Sequence, residues 1–310
     1  MRIAVFGTGG VGGYFGGRLA EAGQEVHFIA RGEHLAAIQR DGLRVSSIEG
    51  DFMISPAQAT DSPAEVGPVD LVLLGVKAWQ VPEAAQAMQP MVGPDTTVIP
   101  LENGVEAADQ LAAVIGREHV LGGLCAIVAM IDGPGHIRHA AVPPIIRFGE
   151  LDNSKSARVE TLRKLFAGAK GLTVKVPEDI HVAIWNKFVF ISAWSAVGSV
   201  TRVPLGLILG TPETRELLQA AVAEVVAVGR AAGVALSIDS VEKTMAFYDS
   251  LDGSATASMQ RDVMAGRPSE LEAQTGAIIR LGDTHGVPTP VARFLYQSLL
   301  PQEQKARGEV

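Results

Sequence analysis

The sequence is poor in cysteine and has no run of basic residues. Its one cysteine, Cys125, excludes a disulfide framework and favours a reducing, cytoplasmic compartment. Cys125 lies in an apolar run, so we expect a buried structural thiol. The net charge of −8 and the scattered lysines and arginines argue against nucleic acid and anionic membranes as partners. An anionic small molecule stays compatible, because a helix N-terminus can bind it.

Signals for export, membrane insertion and metal binding are also missing. The apolar start, Ile3–Phe6, is too short for a signal peptide. We expect no membrane-spanning stretch of about 20 apolar residues, since Asp70 and Glu224 interrupt the best candidates. Of seven histidines, His136 and His139 lie close together in a strand-like stretch, without an HExxH motif or a cysteine partner, so the sequence predicts no metal site.

The chain is long enough for two domains, and its first half alternates strands with helices. Hydrophobic residues make up 47% of 310 residues, which suits a sizeable core. The predicted strands are Arg2–Phe6, Glu25–Ile29, Leu43–Ser47, Phe52–Ser55, Val69–Leu74 and Thr96–Pro100. The predicted helices are Gly10–Ala22, Glu33–Arg40 and Ala78–Gln89. This alternation indicates a mostly parallel sheet with helices on both faces.

The pattern changes twice along the rest of the chain. Strands at 120–130, 136–140 and 145–149 predict an antiparallel or mixed extension of the sheet, closed by a helix at 154–167 and a strand at 172–176. Beyond Pro177 strand signals end. Amphipathic helices are predicted at 179–200, 211–232, 237–250, 254–265, 269–285 and 289–300. The predicted fold is therefore α/β: a Rossmann-type dinucleotide-binding domain, residues 1–178, followed by an all-helical C-terminal domain, residues 179–310.

A glycine-rich loop directly follows the first strand and opens the first helix. It fits G-x-G-x-x-G and comprises Gly7, Thr8, Gly9, Gly10, Val11 and Gly12. The strand-loop-helix context gives this otherwise weak motif its meaning. The first glycine permits the tight turn, the second lets the backbone approach a pyrophosphate, and the third lets helix and strand pack closely. The sequence therefore predicts a dinucleotide site, although a glycine-rich turn without ligand is the alternative.

The end of the second strand distinguishes the two nicotinamide cofactors. An NAD site would have an acid there to bind the ribose 2′-hydroxyl. The chain instead has Ala30-Arg31-Gly32, and Glu33, the only nearby acid, lies beyond the turn. Arg31 could bind a 2′-phosphate through two hydrogen bonds, so NADPH/NADP⁺ is the predicted cofactor. The alternative is that Arg31 is simply solvated.

Two more candidate residues follow the next parallel strands. Lys77 comes after the strand ending at Leu74, and Asn103 after the strand ending at Pro100. Ligands bind at the carboxyl ends of strands in open α/β sheets, so both side chains are candidates for cofactor or substrate contacts. A lysine at a strand end can equally be an ordinary surface residue.

Taken together, these pieces resemble the ketopantoate reductase (2-dehydropantoate 2-reductase) family, and the resemblance covers nearly the whole chain. The order and spacing of these pieces make the resemblance specific. The matching segments are G-T-G-G-V-G at 7–12, A-R-G at 30–32, V-K-A-W-Q at 76–80, N-G at 103–104, W-N-K at 185–187, S-M-x-x-D at 258–262, G-R-x-x-E at 266–270 and G-V-P-T-P at 286–290.

The resemblance implies an NADPH-dependent reduction of a 2-keto acid to a 2-hydroxy acid, a step of pantothenate biosynthesis. It implies that Lys187 is the general acid and that Glu270 engages the substrate and helps proton transfer. It further implies that Ser258 binds substrate, that Asn103 lies where cofactor and substrate meet, and that Lys77 lies near the cofactor. The expected partner is a small 2-keto acid, and a homodimer is a conceivable assembly.

The chain departs from the family along the helix that carries Lys187. Family members commonly have asparagines four and eight residues after the lysine, on the same helix face. This chain has Ile191 and Ser195 there. The substrate wall is therefore expected to be partly apolar, which favours a bulkier, less polar ketone than ketopantoate. Ser192, Ser195 or a water could instead replace the missing amides.

Two other function classes are compatible with the first domain. A non-catalytic NADP-binding regulator would keep the glycine loop but lose the catalytic lysine and glutamate, and both are present here. An NADP-dependent dehydrogenase of another two-domain Rossmann family, acting on hydroxy acids or imines, would differ in the second domain.

Overall fold

The computed structural model describes residues 1–310, which divide into two compact units. The first unit comprises residues 1–102 and 107–180, and the second comprises residues 103–106 and 181–310. The short segment 103–106 thus belongs to the second unit, although residues of the first unit flank it in the chain.

All ten strands lie in the first unit. They are β1 (Arg2–Phe6), β2 (Glu25–Ile29), β3 (Leu43–Ser47), β4 (Phe52–Ile54), β5 (Gln58–Thr60), β6 (Val69–Leu74), β7 (Val92–Pro100), β8 (Leu121–Gly133), β9 (His136–Glu150) and β10 (Thr173–Lys175). Its helices are α1 (Gly10–Glu21), α2 (Gly32–Asp41), α3 (Pro63–Val66), α4 (Val81–Ala87), α5 (Ala107–Ile115) and α6 (Ala157–Ala167).

A five-stranded parallel sheet carries the glycine loop. Its order is β5-β2-β1-β6-β7, and each neighbouring pair is parallel. The chain adds strands on one side of β1 and then, from β6 onward, on the other. The carboxyl ends of all five strands lie at one edge, and the strand order reverses between β1 and β6, which is where ligands bind in open α/β sheets. The Rossmann-type α/β prediction is confirmed.

The remaining strands form a second, mixed sheet, so the prediction that they extend the first sheet is wrong. The order is β10-β9-β3-β4, with β8 antiparallel to β9. Two predicted strands, 136–140 and 145–149, are the single strand β9. Pro143 and Pro144 interrupt the apolar pattern, and the structure accommodates them where the β8–β9 register shifts opposite Ala126 and Val128.

Helix α1 lies between the two sheets and packs against both of them. A Cβ on Gly16 would lie 2.2 Å from Cγ2 of Val5 in β1, and one on Gly17 would lie 2.9 Å from Cε2 of Phe52 in β4. Glycines on two sides of α1 therefore allow close packing against both sheets. The buried core of this unit accordingly draws residues from both sheets.

Several elements differ from the sequence prediction for local reasons. The predicted helix Ala78–Gln89 is a 3₁₀ turn, Ala78–Gln80, followed by α4, because Pro82 is tolerated only in the first turn of a helix. The short elements β5, α3 and α5 were not predicted, because each is too brief or too weakly patterned to be recognised.

Helices alone form the second unit after its short segment 103–106. They are α7 (Ile180–Thr201), α8 (Leu205–Gly210), α9 (Pro212–Ala231), α10 (Ser240–Asp249), α11 (Ser258–Met264), α12 (Ala277–His285) and α13 (Pro290–Arg307), with a π-helical turn at Glu272–Gly276 before α12. Helix α8 was not predicted. The buried core of this unit joins residues of α7 to residues of α9 and α13.

Helix α7 corrects the expectation that no membrane-length apolar stretch exists. By length and composition it could cross a membrane, and 61% of the qualifying stretch is buried inside the structure. A core helix of a soluble protein passes the same test, so this one helix is weak evidence for a membrane span. The expectation for Cys125 is confirmed, because its thiol is buried and forms no disulfide.

Candidate functional site

The glycine loop is held at the carboxyl end of β1 by one carbonyl of β2. The backbone N–H groups of Gly7 and Thr8 donate to the carbonyl oxygen of Ile29 at 3.3 and 3.0 Å, and the Thr8 hydroxyl donates to it at 2.9 Å. Helix α1 then begins at Gly10, so its first N–H groups have no partner inside the helix. These groups and the positive end of the helix dipole can bind an anion.

The glycines of this loop differ in what a side chain would meet. A Cβ on Gly7 would lie 2.7 Å from Cγ1 of Val76, and one on Gly12 would lie 2.2 Å from the Gly7 carbonyl oxygen. A Cβ on Gly9 would meet only the Gly75 carbonyl oxygen, at 3.9 Å. Internal packing therefore requires Gly7 and Gly12, whereas the space beside Gly9 is open. The loop fits a dinucleotide pyrophosphate approaching at Gly9.

Arg31 is exposed at the end of β2 and directly precedes α2. Its Nη2 lies 3.6 Å from Oε1 of Glu83, and both side chains are about 70% exposed. An ion pair this exposed contributes little, so Arg31 can exchange this partner for an anionic ligand. No acid occupies the end of β2, where Ala30 is buried.

The ends of β6 and β7 are joined by a carboxylate that sequence reasoning missed. Glu102 is buried, and its Oε1 accepts the Val76 N–H at 3.2 Å. Lys77 is exposed, with its Nζ 5.7 Å from the ring centroid of Trp79. Glu102 could have been noticed as an acid at a strand end, but nothing in the sequence shows that it is buried.

His34 is a second missed residue close to the glycine loop. Its Nδ1 accepts the backbone N–H of Gly135, in the turn between β8 and β9, at 3.0 Å. Burial lowers the pKa of His34, and the backbone of Thr8 partly opposes that effect. The neutral imidazole therefore links α2 to the β8–β9 turn.

In the second unit, the structure brings together two of the predicted residues, Asn103 and Glu270. The Asn103 Nδ2 donates to Oε2 of Glu270 at 2.9 Å, and Glu270 is only 5% exposed. The Gln274 Nε2 donates to the same oxygen at 3.1 Å. Gln274 was missed, although its spacing of four residues from Glu270 on a predicted helix was a usable signal.

The turn that follows Glu270 is π-helical and carries buried polar atoms. Gln274 Oε1 and Thr275 Oγ1 are both buried without a hydrogen-bond partner. Short π-helical turns inside α-helices frequently occur at functional sites. Buried polar atoms without partners are uncommon in proteins and are compatible with groups that bind a ligand.

The predicted substrate face of α7 is only partly accessible. Lys187 and Ile191 are half-buried, whereas Ser195 is fully buried and its Oγ has no hydrogen-bond partner. Ser192 cannot readily replace a missing amide, because its hydroxyl donates to the Phe188 carbonyl oxygen at 2.6 Å.

The last predicted substrate residue, Ser258, is half-buried at the first position of α11.

An aromatic cluster lies on a neighbouring face of α7, where the rings of Phe190 and Trp194 pack with that of Tyr248 from α10. The Tyr248 hydroxyl donates to the Phe190 carbonyl oxygen at 2.5 Å. Burial raises the pKa of Tyr248 well above its usual value, so this phenol stays neutral.

No group of three or more histidine, cysteine, aspartate or glutamate side chains is arranged to hold a metal ion. The two neighbouring histidines pair with serines instead: His136 with Ser46 at 3.0 Å and His139 with Ser47 at 2.9 Å.

Comparison with known proteins gives matches over most of the chain. The family model for ketopantoate reductase PanE/ApbA matches residues 3–153, and the model for its C-terminal domain matches residues 179–303. The uncharacterized oxidoreductase YkpB of Bacillus subtilis is 31% identical, with 96% of this chain and 98% of that protein covered.

Solved structures extend the similarity to the whole fold. The 2-dehydropantoate 2-reductase of Geobacter metallireducens is 30% identical with a TM-score of 0.90, and 97% of this chain and 99% of that chain are covered. A D-mandelate dehydrogenase solved with NADH and anilino(oxo)acetate is 25% identical with a TM-score of 0.89, covering 99% of this chain and 100% of the other.

Proposed function

The chain belongs to the ketopantoate reductase family, and we propose that it is an NADPH-dependent reductase of 2-keto acids, with Lys187 as the general acid. Family membership makes it an oxidoreductase, and its structural relatives include an enzyme solved with a nicotinamide dinucleotide.

The observation that carries the proposal is the buried hydrogen bond between Asn103 and Glu270. Burying a carboxylate is costly, and here two side-chain amides offset the cost by donating to one oxygen. The contact brings together two residues, Asn103 and Glu270, that the family resemblance assigns to the active site. The intact loop with open space beside Gly9 supports binding of the dinucleotide.

The chemistry follows from the charge that develops during reduction. Bound NADPH would supply the hydride that a keto carbon accepts. The keto oxygen then gains negative charge, which the Lys187 ammonium would stabilise before donating its proton to that oxygen. Glu270 and Ser258 would orient the substrate, and Asn103 and Lys77 would contact cofactor or substrate.

Cofactor preference is proposed from the end of β2. Arg31 is exposed and loosely paired, and the position where an NAD site has an acid carries Ala30. Both features favour a 2′-phosphate. The D-mandelate dehydrogenase relative was solved with NADH, so the preference must be measured rather than inherited from the family.

Substrate choice has two candidates. Ketopantoate is the substrate named by many relatives, including the Geobacter metallireducens enzyme. A bulkier, less polar 2-keto acid is favoured by Ile191, which cannot hydrogen-bond a substrate hydroxyl or carboxylate. The D-mandelate dehydrogenase relative, named for an aromatic hydroxy acid, supports the second candidate.

The test is a substrate screen followed by loss of NADPH absorbance. Ketopantoate and bulkier aliphatic and aromatic 2-keto acids are each offered with NADPH and with NADH. We expect turnover of at least one 2-keto acid and a higher kcat/KM for a bulky apolar acid than for ketopantoate. If ketopantoate is best by tenfold or more, the substrate proposal is wrong. If no 2-keto acid turns over while NADPH binds, the regulator alternative replaces the enzyme.

We propose that the protein is cytoplasmic. The single buried thiol supports a cytoplasmic enzyme of small-molecule metabolism.

A further inference from the structure

The C-terminal turns of α13 contact Ser269, the residue directly before Glu270. Glu303 is only 7% exposed, and its two carboxylate oxygens accept the Ser269 N–H at 3.0 and 3.1 Å. The Ser269 hydroxyl donates to Oε2 of Glu303 at 2.5 Å. Ser269 itself is fully buried, so these hydrogen bonds lie away from water, where they are strongest.

Arg307 completes the contact from the next turn of α13. Its Nε donates to Oε1 of Glu303 at 2.7 Å, and its Nη2 donates to the Ser269 carbonyl oxygen at 3.0 Å. The Glu303 charge is therefore paired, which offsets the cost of its burial. The N–H, hydroxyl and carbonyl groups of Ser269 all have partners in this pair.

The hydrogen bonds to the N–H, hydroxyl and carbonyl groups of Ser269 constrain the backbone position of Glu270. The Ser269 carbonyl belongs to the peptide that joins the two residues, and the Leu271 N–H donates to the Ser269 hydroxyl at 3.3 Å. The backbone is thus held on both sides of Glu270, while Asn103 and Gln274 hold its carboxylate. Glu303 touches none of the proposed reacting groups itself.

We propose that Glu303, paired with Arg307, is a positioning residue that holds Glu270 in its working orientation. This inference rests on the proposed catalytic role of Glu270. It explains why a carboxylate on the last helix is buried against a loop rather than exposed. A misplacement of about 1 Å at a reacting group can lower a rate about 100-fold. A residue that only positions Glu270 can therefore affect kcat.

The first test is Glu303→Gln, measured with the best 2-keto acid from the screen. We expect kcat to fall about 10- to 100-fold while the Kd for NADPH stays within about twofold, because the dinucleotide loop belongs to the other unit. We also expect a changed pH profile of kcat/KM, since the environment of Glu270 changes. Arg307→Lys keeps the charge but cannot donate to both Glu303 and the Ser269 carbonyl oxygen, so we expect a smaller loss of kcat. This variant replaces Glu303→Gln in the test if Glu303→Gln fails to fold.

The matched control is Glu224→Gln. Glu224 also accepts two backbone N–H groups, those of Val291 and Ala292 at 2.8 Å each, at the other end of α13. It should lower thermal stability and leave kcat and the pH profile unchanged. If both variants lower kcat equally, Glu303 acts through general stability and the inference is wrong.

A double-mutant cycle separates this inference from the proposed function. If Glu303 acts through Glu270, Glu303→Gln should have no further effect on kcat in a Glu270→Gln background. Additive effects, or full activity of Glu303→Gln alone, would overturn the inference and leave the proposed function standing. Full activity of Glu270→Gln would instead overturn the role proposed for Glu270.

Discussion

Replacing Gly9 by alanine should separate cofactor binding from folding. The backbone at Gly9 has φ −82° and ψ −163°, which alanine adopts without strain. The new methyl carbon would meet only the Gly75 carbonyl oxygen, at an ordinary contact distance of 3.9 Å. Since alanine is a poorer N-cap than glycine, the free energy of unfolding should fall by about 1 kcal/mol or less.

The same methyl group should weaken NADPH binding strongly. It would occupy the open space that the pyrophosphate needs to reach the N–H groups at the start of α1. One hydrogen bond to a charged group is worth about 1.5–3 kcal/mol, so losing one raises the Kd about 10- to 150-fold. The assay is a titration of NADPH fluorescence, with thermal unfolding measured in parallel.

The neighbouring Gly10 supplies the control. A Cβ there would lie 2.3 Å from the Ala129 carbonyl oxygen of β8, so Gly10→Ala should destabilise the fold by about 1–3 kcal/mol. Two results would refute the reasoning: a Gly9→Ala variant whose Kd for NADPH is unchanged, or one destabilised as much as Gly10→Ala. The first would mean that the dinucleotide does not approach at Gly9.

Four further predictions test other parts of the proposal. We expect the unmodified protein to prefer NADPH over NADH by about 10- to 150-fold in kcat/KM, and Arg31→Ala should remove most of that preference. The kinetics with NADH should stay unchanged, which serves as the control. Lys187→Ala should lower kcat by about 10²–10⁴ with NADPH binding intact; an unchanged rate would contradict its role as proton donor. Ile191→Asn should raise kcat/KM for ketopantoate about tenfold relative to a bulky apolar 2-keto acid, and an unchanged ratio would show that Ile191 does not set specificity. Glu150→Gln should lower the free energy of unfolding by about 1.5–3 kcal/mol at pH 7, because two hydrogen bonds from Arg158 hold the pKa of Glu150 below its usual value. A group with a lowered folded pKa stabilises above its unfolded pKa of about 4.3, so denaturant titrations should show the difference closing as the pH falls below that value.

Local sequence patterns predicted where several strands lie, but not which sheet each strand joins. β1, β2 and β6 of the first sheet and β3 of the second sheet have the predicted bounds. No local pattern shows which sheet a strand joins. That depends on α1, whose glycines on two sides allow a second sheet to pack against it.

The candidate site shows the same division between local and distant information. The glycine loop could be recognised from its own residues and context, and the spacing from Glu270 to Gln274 could have been used. The contact between Asn103 and Glu270 joins residues 167 positions apart, so only the family resemblance indicated that both belong to one site.

The end of the chain shows most clearly how tertiary contacts override a local rule. The predicted last helix ends at Leu300, directly before Pro301, and a proline removes a backbone donor and disfavours a helix interior. The structure continues α13 to Arg307. The two turns beyond the proline carry Glu303 and Arg307, whose hydrogen bonds to Ser269 compensate for the one the proline removes. The proline is therefore tolerated where the helix contacts the residue before Glu270. If those contacts maintain the helix, Glu303→Gln should also fray its last turns, and faster amide exchange there would accompany the loss of kcat.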